Sequence, residues 1–448
     1  MTQTAHLSRT TLDRAADTPP ATADPSAGRT RLLGVDAARG VALFGMIAVH
    51  SLYQADAAGL PTWSFTLFGG RAAALFAVLA GVGIAFLTGR RRVPLAAGAG
   101  PVAALGVRAL AIGAIGLALG YTDASLASVI LPYYAVMFLL AIPLVFLPTW
   151  LVACTGVAVA TGVPVLRQLL LPQLPEPTYD NPAFAQLLDA PGALLTELAL
   201  TGEFPATTWL AYLCAGLVVG RLSLNRLVVI LGLLYTGVLL AAGAAVASWV
   251  LLNRYEGLQQ IWLTQPGSGL TVADTTELLL FGADGSTPTS TWWWLTVAAP
   301  HTGTPLDLLG TIGSAIALLA VMLLAFHVAR PGPRRAISVL LVPLAAAGSM
   351  TLTLYTAHIM FINSELDSFE PVTGYLAQVL AMVLFGTAWW ATAGRGPLEG
   401  LVALLSGGAR RLVVRRNRGT RRRAGMSMYS GPDAHRLSPR QATTRHRR

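Results

Sequence analysis

From Leu33 to Gly394 the chain returns again and again to uncharged apolar stretches, and this recurrence constrains its fold more than any other feature. A bilayer-crossing helix needs ~20 predominantly apolar residues. Windows that meet this rule lie at residues 34–53, 65–87, 101–120, 127–147, 149–170, 206–222, 227–252, 305–328, 337–362 and 374–394. The least ambiguous, Leu227 to Leu252, has 26 residues without a charge. Hydrocarbon offers the backbone no hydrogen-bond partner, so the expected fold is an all-α polytopic bundle of about ten transmembrane helices. Composition agrees. Of 448 residues 54% are hydrophobic and 12% charged, against ~25% charged in a soluble domain. A water-soluble enzyme is excluded, and the length is taken up by membrane spans.

The formal charge of +10 comes from 31 arginines and no lysine. A lysine Schiff base, a lysine general base and a P-loop lysine are thereby excluded. Fourteen of the arginines lie from Arg395 to Arg448, after the last apolar window, and read as a polybasic anchor to anionic membrane lipid. No aromatics are interleaved with them as a nucleic-acid stacking platform would need, so no nucleic-acid partner is expected. Cytoplasmic loops carry the excess of basic residues. With ten crossings Arg29 and Arg31, Arg90 to Arg92, Arg221 and Arg226, and Arg330, Arg334 and Arg335 fall on one side, while the opposite loops are acidic. Both termini are then cytoplasmic in a multi-pass protein of the cell membrane. The expected organisation is a disordered tail at 1–30 without a cleavable signal peptide, a membrane domain at 31–406 and a disordered basic tail at 407–448. Cys154 and Cys214 lie inside apolar runs, which makes a disulfide framework or thiolate metal site unexpected. Trp292, Trp293 and Trp294 in a long exterior loop read as a headgroup-level anchor. The pairs Gly116 and Gly120, and Gly216 and Gly220, read as close helix packing.

Several ionisable residues interrupt the apolar windows, and each needs a partner or a purpose there. The first window, VDAARGVALFGMIAVH, carries Asp36, Arg39 and His50. At ~100° and ~1.5 Å per residue, Arg39 and His50 share a face about 16 Å apart, and Asp36 can hold Arg39 as an i,i+3 pair. Arg39 and His50 are thus expected to line one polar passage. Arg71, near the exterior end of the second window, is expected at the depth of His50, where it could clamp an acceptor or a developing oxyanion. His301 and Asp307 sit at the mouth of the eighth window. Thr351, Tyr355 and His358 fall on one stripe of the ninth at the same exterior depth, as acceptor-side candidates. Three histidines without cysteine or glutamate at ligand spacing give no reason to expect a metal.

With these residues in hand the chain resembles the YeiB-like bacterial membrane proteins and, more distantly, heparan-α-glucosaminide N-acetyltransferase and the acyltransferase-3 proteins. The resemblance is carried by RLLGVDAARGVALFGMIAVH, GGRAAALFAVLAGVGIAF, TGEFPATTWLAYLCAGLVVGR, APHTGTPLDLLGTIGSA, GSMTLTLYTAH and the closing RGPLEGLV. It implies a membrane acyltransferase that takes acetyl-CoA or another acyl-CoA from the cytoplasm and acylates a hydroxyl or amine of a glycan, lipid or small molecule outside. On that scheme Asp36, Arg39 and Arg90, Arg91 and Arg92 hold the CoA end, His50 is general base or acyl carrier, and a homodimer is among the candidate assemblies. In the lysosomal branch an Asn matches His50 and a separate His follows in the adjoining loop. Here SLYQADAAGLPTWSF contains no histidine, so the resemblance implies either a base role for His50, His301 or His358 or a site that is not a competent acetyltransferase. The rival class is a transporter of an anionic solute, with Arg39 and Arg71 as binding charges.

Overall fold

The computed structural model describes residues 32–328 and 331–429. The expected tail at 1–30, Arg29, Arg31, Arg330 and residues 430–448 lie outside the described residues, as does the side chain of Arg334.

The described chain is all-helical. It begins with α1 (Leu33–Ser51), α2 (Trp63–Phe68), α3 (Arg71–Leu87), α4 (Ala99–Leu119), α5 (Leu131–Leu144) and α6 (Thr149–Leu170). Two short loop helices, α7 (Phe184–Asp189) and α8 (Pro191–Thr196), lead to α9 (Ala206–Arg221) and α10 (Leu227–Asn253). A second structured loop holds α11 (Gly257–Thr264) and α12 (Val272–Leu280). The chain then runs through α13 (Pro305–Ala325), α14 (Pro331–Gly348), α15 (Thr351–Ile362), α16 (Pro371–Thr392) and α17 (Pro397–Tyr429).

Among the described residues seven helices are long and apolar enough to cross a membrane, and α14 and α15, bent by 76° at the break between them, make up a broken span or a re-entrant loop. The remaining expected windows, 127–147 and 206–222, form α5 of 14 residues and α9 of 16 residues. At ~1.5 Å per residue these helices are shorter than a full hydrocarbon core, and α9 buries most of its length against other helices rather than lipid. The chain is a multi-pass membrane protein.

Contacts sort the loops onto two faces. On one, Arg90 donates to the carbonyls of Gly220 and Leu222, Arg92 to that of Phe146 at 2.7 Å, and Arg221 to that of Leu147 at 2.9 Å. His327 reaches the Asn225 carbonyl there at 3.0 Å. This is the face at which Asp36 and Arg39 lie. On the other face, that of His50, the Asp123 N–H donates to Asn363 at 2.8 Å. Arg90 and Arg92 thus neutralise the unsatisfied carbonyls that helix C-termini leave at this face.

Close helix crossings are made by glycine. A Cβ at Gly216 of α9 would fall on the Val78 carbonyl of α3, and Gly220 approaches Val82 in the same way. Gly237 and Gly313 allow α10 and α13 to touch backbone to backbone, and Gly348 meets the Asp36 carbonyl of α1. With no water to expel between helices, such small-residue contacts are what packing in lipid can use.

One expectation is corrected here. The tryptophan run is not a membrane-surface anchor as a whole. Trp294 is 2% exposed and packs with Ile261 and Val297 in the core of the long loop, Trp293 covers Gly257, and only Trp292 is largely exposed. The loop folds on its own apolar residues, which claim the indoles before lipid can. Beyond 406 the described chain continues as α17 to Tyr429, and α17 packs along α4. Its Ala, Leu and Arg residues are good helix formers.

Overpacking gives a direct check of the crossings. Gly216→Leu should destabilise the protein by about 1–3 kcal/mol or more, the range for a side chain forced into a filled interface. Gly243→Leu on α10, with nothing within 4 Å of the added Cβ, should leave the melting temperature in detergent unchanged.

Candidate functional site

The first helix brings two polar ends into the bundle. Near its start, Arg39 Nη1 donates to Asp36 Oδ1 at 2.9 Å, and Asp36 is buried. The i,i+3 spacing makes this contact almost automatic once the helix forms. In the last turn, His50 Nδ1 lies 3.0 Å from His358 Nε2 of α15, and the two rings are coplanar to within 1°. His358 Nδ1 in turn lies 2.7 Å from Gln378 Oε1 of α16, and Gln378 Nε2 donates to Ser51 Oγ at 3.3 Å.

This chain of contacts sets the tautomers. A carbonyl oxygen can only accept, so His358 carries its proton on Nδ1 and leaves Nε2 as an acceptor. His50 must then donate from Nδ1, and its Nε2 is left as a lone pair. His358 is fully buried, which removes water as a competing partner. The arrangement orients a base through a second group, as in any nucleophile-activating pair.

Two cavities meet along α1. The first, of about 520 Å³, opens toward the Arg39 face, with Arg39, Arg108, Arg395 and Glu399 as its charged residues. Its walls are otherwise mostly apolar. The Tyr134 hydroxyl in its depth is buried and has no hydrogen-bond partner among the described residues. Arg108 lies 5.4 Å from the Phe138 ring centroid. Glu399 accepts from the N–H groups of Leu352 and Thr353 at 2.6 and 3.2 Å and from the Thr353 hydroxyl at 2.6 Å. It thereby caps the positive N-terminus of α15, where the bent span breaks inside the bundle.

The second cavity, of about 530 Å³, lies on the His50 face and is lined by His50, His301, Glu203, Asp274, Glu277 and Asp284 among its polar residues. Met46 and Ile130 line both cavities and form the wall between them. His301 sits in a loop with left-handed backbone, φ 55°, a conformation that costs free energy outside glycine. Its ring stacks on Trp209 at 6.1 Å and meets the edge of Phe204 at 5.4 Å. Burial pushes its pKa down to about 4, so the imidazole is neutral near pH 7. Burial pushes the Glu203 carboxyl up to about 7 and raises that of Asp284 as well.

The expected residues are distributed as follows. Arg39 and His50 do share a face of α1, yet they line different cavities rather than one open passage. His50 and His358 are brought into contact, and His301 joins His50 on the second cavity. Thr351 and Tyr355 line the Arg39 cavity instead of the acceptor side, because the break before Thr351 starts α15 deep in the bundle. Arg71 does not line the His50 cavity. After the Gly69 and Gly70 break its guanidinium folds back onto the Thr66 carbonyl of α2 and stays exposed, a contact that satisfies a helix C-terminus. Arg90 and Arg92 staple loops, and Arg91 is exposed. None of the three lines the Arg39 cavity. Asp307 accepts from the Gly303 N–H at 3.0 Å and is spent on shaping the turn before α13. Sequence reasoning missed Arg108, Arg395, Glu399, Tyr134 and Gln378. For Arg108 the signal was available, as an arginine inside the third apolar window. Gln378 carries no charge and is invisible until α16 meets α15.

Residues 31–248 match the family model described as heparan-alpha-glucosaminide N-acetyltransferase, catalytic. The chain is similar to that family over this stretch, which contains Asp36, Arg39, His50, Arg108, Tyr134 and Glu203. His301, His358, Gln378, Arg395 and Glu399 lie beyond it. No curated protein matches the chain.

The raised Glu203 pKa makes a signed prediction. Between its ordinary 4.5 and about 7 the folded state holds the Glu203 proton more firmly than the unfolded chain, so its contribution to stability is present below pH 4.5 and is lost as pH rises through 7. Glu203→Gln cannot ionise. Melting temperatures measured across this window should fall less steeply with rising pH in the variant than in the wild type.

Proposed function

We propose that this protein is a membrane acyltransferase that moves an acyl group, most simply acetyl, from acyl-CoA held in the Arg39 cavity to an acceptor hydroxyl or amine in the His50 cavity. The single observation carrying this reading is the His50, His358 and Gln378 chain, which leaves the Nε2 lone pair of His50 as a base beside a cavity that abuts a second, arginine-bearing one. The family match supports membrane acetyltransferase chemistry in general.

The residues of the Arg39 cavity suit the co-substrate. Guanidinium groups of Arg39, Arg108 and Arg395 match phosphate oxygens in geometry and charge. The apolar depth suits a pantetheine arm, and the unpartnered Tyr134 hydroxyl is a ready donor for a polar atom of that arm. Bound acyl-CoA supplies an activated thioester. The chain's own part is to exclude water, hold the acceptor and remove its proton. As the acceptor oxygen or nitrogen bonds to the acyl carbon, its proton passes to His50 Nε2, and it leaves with the thiol sulfur as the carbon–sulfur bond breaks. His358 stabilises the protonated imidazole from the other side and keeps it in register. Met46, one turn before His50, and Ile130 separate the two reactants until the acyl end passes between them.

The reading places the Arg39 face in the cytoplasm, where the basic loops belong, and the His50 face outside the cell membrane. The bent α14 and α15 pair favours one rival, since discontinuous helices at mid-membrane also build solute sites in transporters.

Free CoA thiol released from acetyl-CoA by the purified protein with an acceptor separates the two readings. His50→Ala should reduce release by about 10²-fold or more, the scale of general base catalysis, with expression intact. Solute flux in sealed vesicles that needs no acyl-CoA would favour the transporter. Orientation can be tested in a chain lacking Cys154 and Cys214: Asp180→Cys should react with an impermeant thiol reagent only from outside the cell.

A further inference from the structure

The acyltransferase reading leaves open what polarises the acyl carbonyl, and the inference drawn here rests on that reading. We propose that the hydroxyls of Tyr134 and Tyr355 form an oxyanion site at the wall between the two cavities, donating hydrogen bonds to the carbonyl oxygen of the bound thioester and to the oxyanion that forms when the acceptor attacks it.

Both side chains line the Arg39 cavity, Tyr134 from α5 and Tyr355 from α15. Both are buried, and neither hydroxyl has a hydrogen-bond partner among the described residues. A buried tyrosine hydroxyl normally finds a partner, because leaving it without one is costly. Phenylalanine in either place would fill nearly the same space without that cost. The two side chains are also within electrostatic range of each other. They make a pair of neutral donors on one cavity, and the protein supplies them no shared acceptor.

Their place in the fold identifies that acceptor. Tyr134 stands one turn after Ile130, to whose carbonyl its own N–H donates at 3.1 Å, and Ile130 lines both cavities. The Tyr355 hydroxyl lies near the Ile130 backbone, short of hydrogen-bonding geometry, and within electrostatic range of Glu203 on the opposite cavity. Both tyrosines therefore sit at the wall. The phosphates of a bound acyl-CoA belong with the guanidinium groups, so what reaches the wall is the acyl end of the arm. A carbonyl oxygen has two lone pairs and accepts from two hydroxyls at once. As the acceptor oxygen or nitrogen bonds to the acyl carbon, the π pair of the C=O bond moves onto that oxygen, where the two donors stabilise it. When the pair returns, the carbon–sulfur bond breaks and the sulfur leaves with the proton that His50 Nε2 took from the acceptor. Neither tyrosine gives up its own proton.

The test uses the full-length protein in lipid nanodiscs. Tyr134→Phe and Tyr355→Phe each remove one oxygen that bonds to nothing in the protein, so the melting temperature should not fall. Either variant decides the test if the other fails to fold. Thiol release from acetyl-CoA is measured with glucosamine, glycerol and 1,5-diaminopentane as acceptors. In each variant kcat should fall by about 10²-fold or more, with KM for acetyl-CoA unchanged, because the donors act on charge that develops in the transition state. An unchanged kcat overturns the proposal, and so does a raised KM with kcat intact, which would make the tyrosines ligands of the arm alone. A second arm reads binding without turnover. Acetyldethio-CoA, with a methylene in place of the thioester sulfur, keeps the carbonyl but cannot transfer it. The infrared stretch of its isotopically labelled carbonyl should lie lower in the wild type than in the variants, since each hydrogen bond weakens the C=O bond. Equal frequencies, or an analogue that does not bind, overturn the proposal, and thiol release that persists leaves the acyltransferase reading in place. A lowered frequency that is lost in the variants, with no thiol release from any of the three acceptors, supports the carbonyl site and removes the acyltransferase reading instead.

Discussion

A polar side chain inside hydrocarbon has no water to fall back on, and the hydrogen-bonded row from Ser51 through Gln378 and His358 to His50 is how this bundle meets that constraint. The row ties α1, α15 and α16 at one depth. Each member satisfies the next, so the register of α15 against α1 cannot slip without stranding a buried donor or acceptor. That register in turn places the break between α14 and α15 inside the bundle, where Glu399 caps the exposed N-terminus of α15. The tautomers of both histidines follow from the same geometry.

Around this row the interior is polarised. Guanidinium groups collect in the cavity on the Arg39 face and carboxylates in the one on the His50 face, with Met46 and Ile130 between. For the proposed acyl transfer, such an arrangement would let donor and acceptor approach from opposite sides and meet at a thin apolar wall. The proposed transfer needs no continuous water path. A group small enough to pass two side chains can cross where a hydrated ion would lose its shell. The close glycine crossings of α3 with α9, and of α10 with α13, supply the rigid frame that keeps this wall thin.

Local spacing made part of the site readable. Asp36 and Arg39 pair because i,i+3 residues touch on any helix, and this contact needs no knowledge of the rest of the fold. His50 and His358 stood out because apolar windows seldom carry imidazoles. Other residues misled for identifiable reasons. Arg71 is expected beside His50 from its window, yet the glycine break before α3 offers its guanidinium the Thr66 carbonyl. Tyr355 shares a helical stripe with His358, but Tyr355 lines the Arg39 cavity while His358 is spent on His50 and Gln378. Trp294 met the apolar residues of its own loop before it could meet lipid.

The order of apolar windows, the segregation of basic and acidic loops and the presence of ionisable groups in the first helix are properties of the chain read in one dimension, because hydrophobic length and charge act locally. Which imidazole meets which, whether an arginine faces a cavity or a carbonyl, and how two cavities come to share Met46 are decided only when helices distant in the chain pack together. Hydrogen bonds and van der Waals contacts act over a few ångströms, and His50 and His358 are separated by 308 positions. Only the folded bundle brings them within that reach.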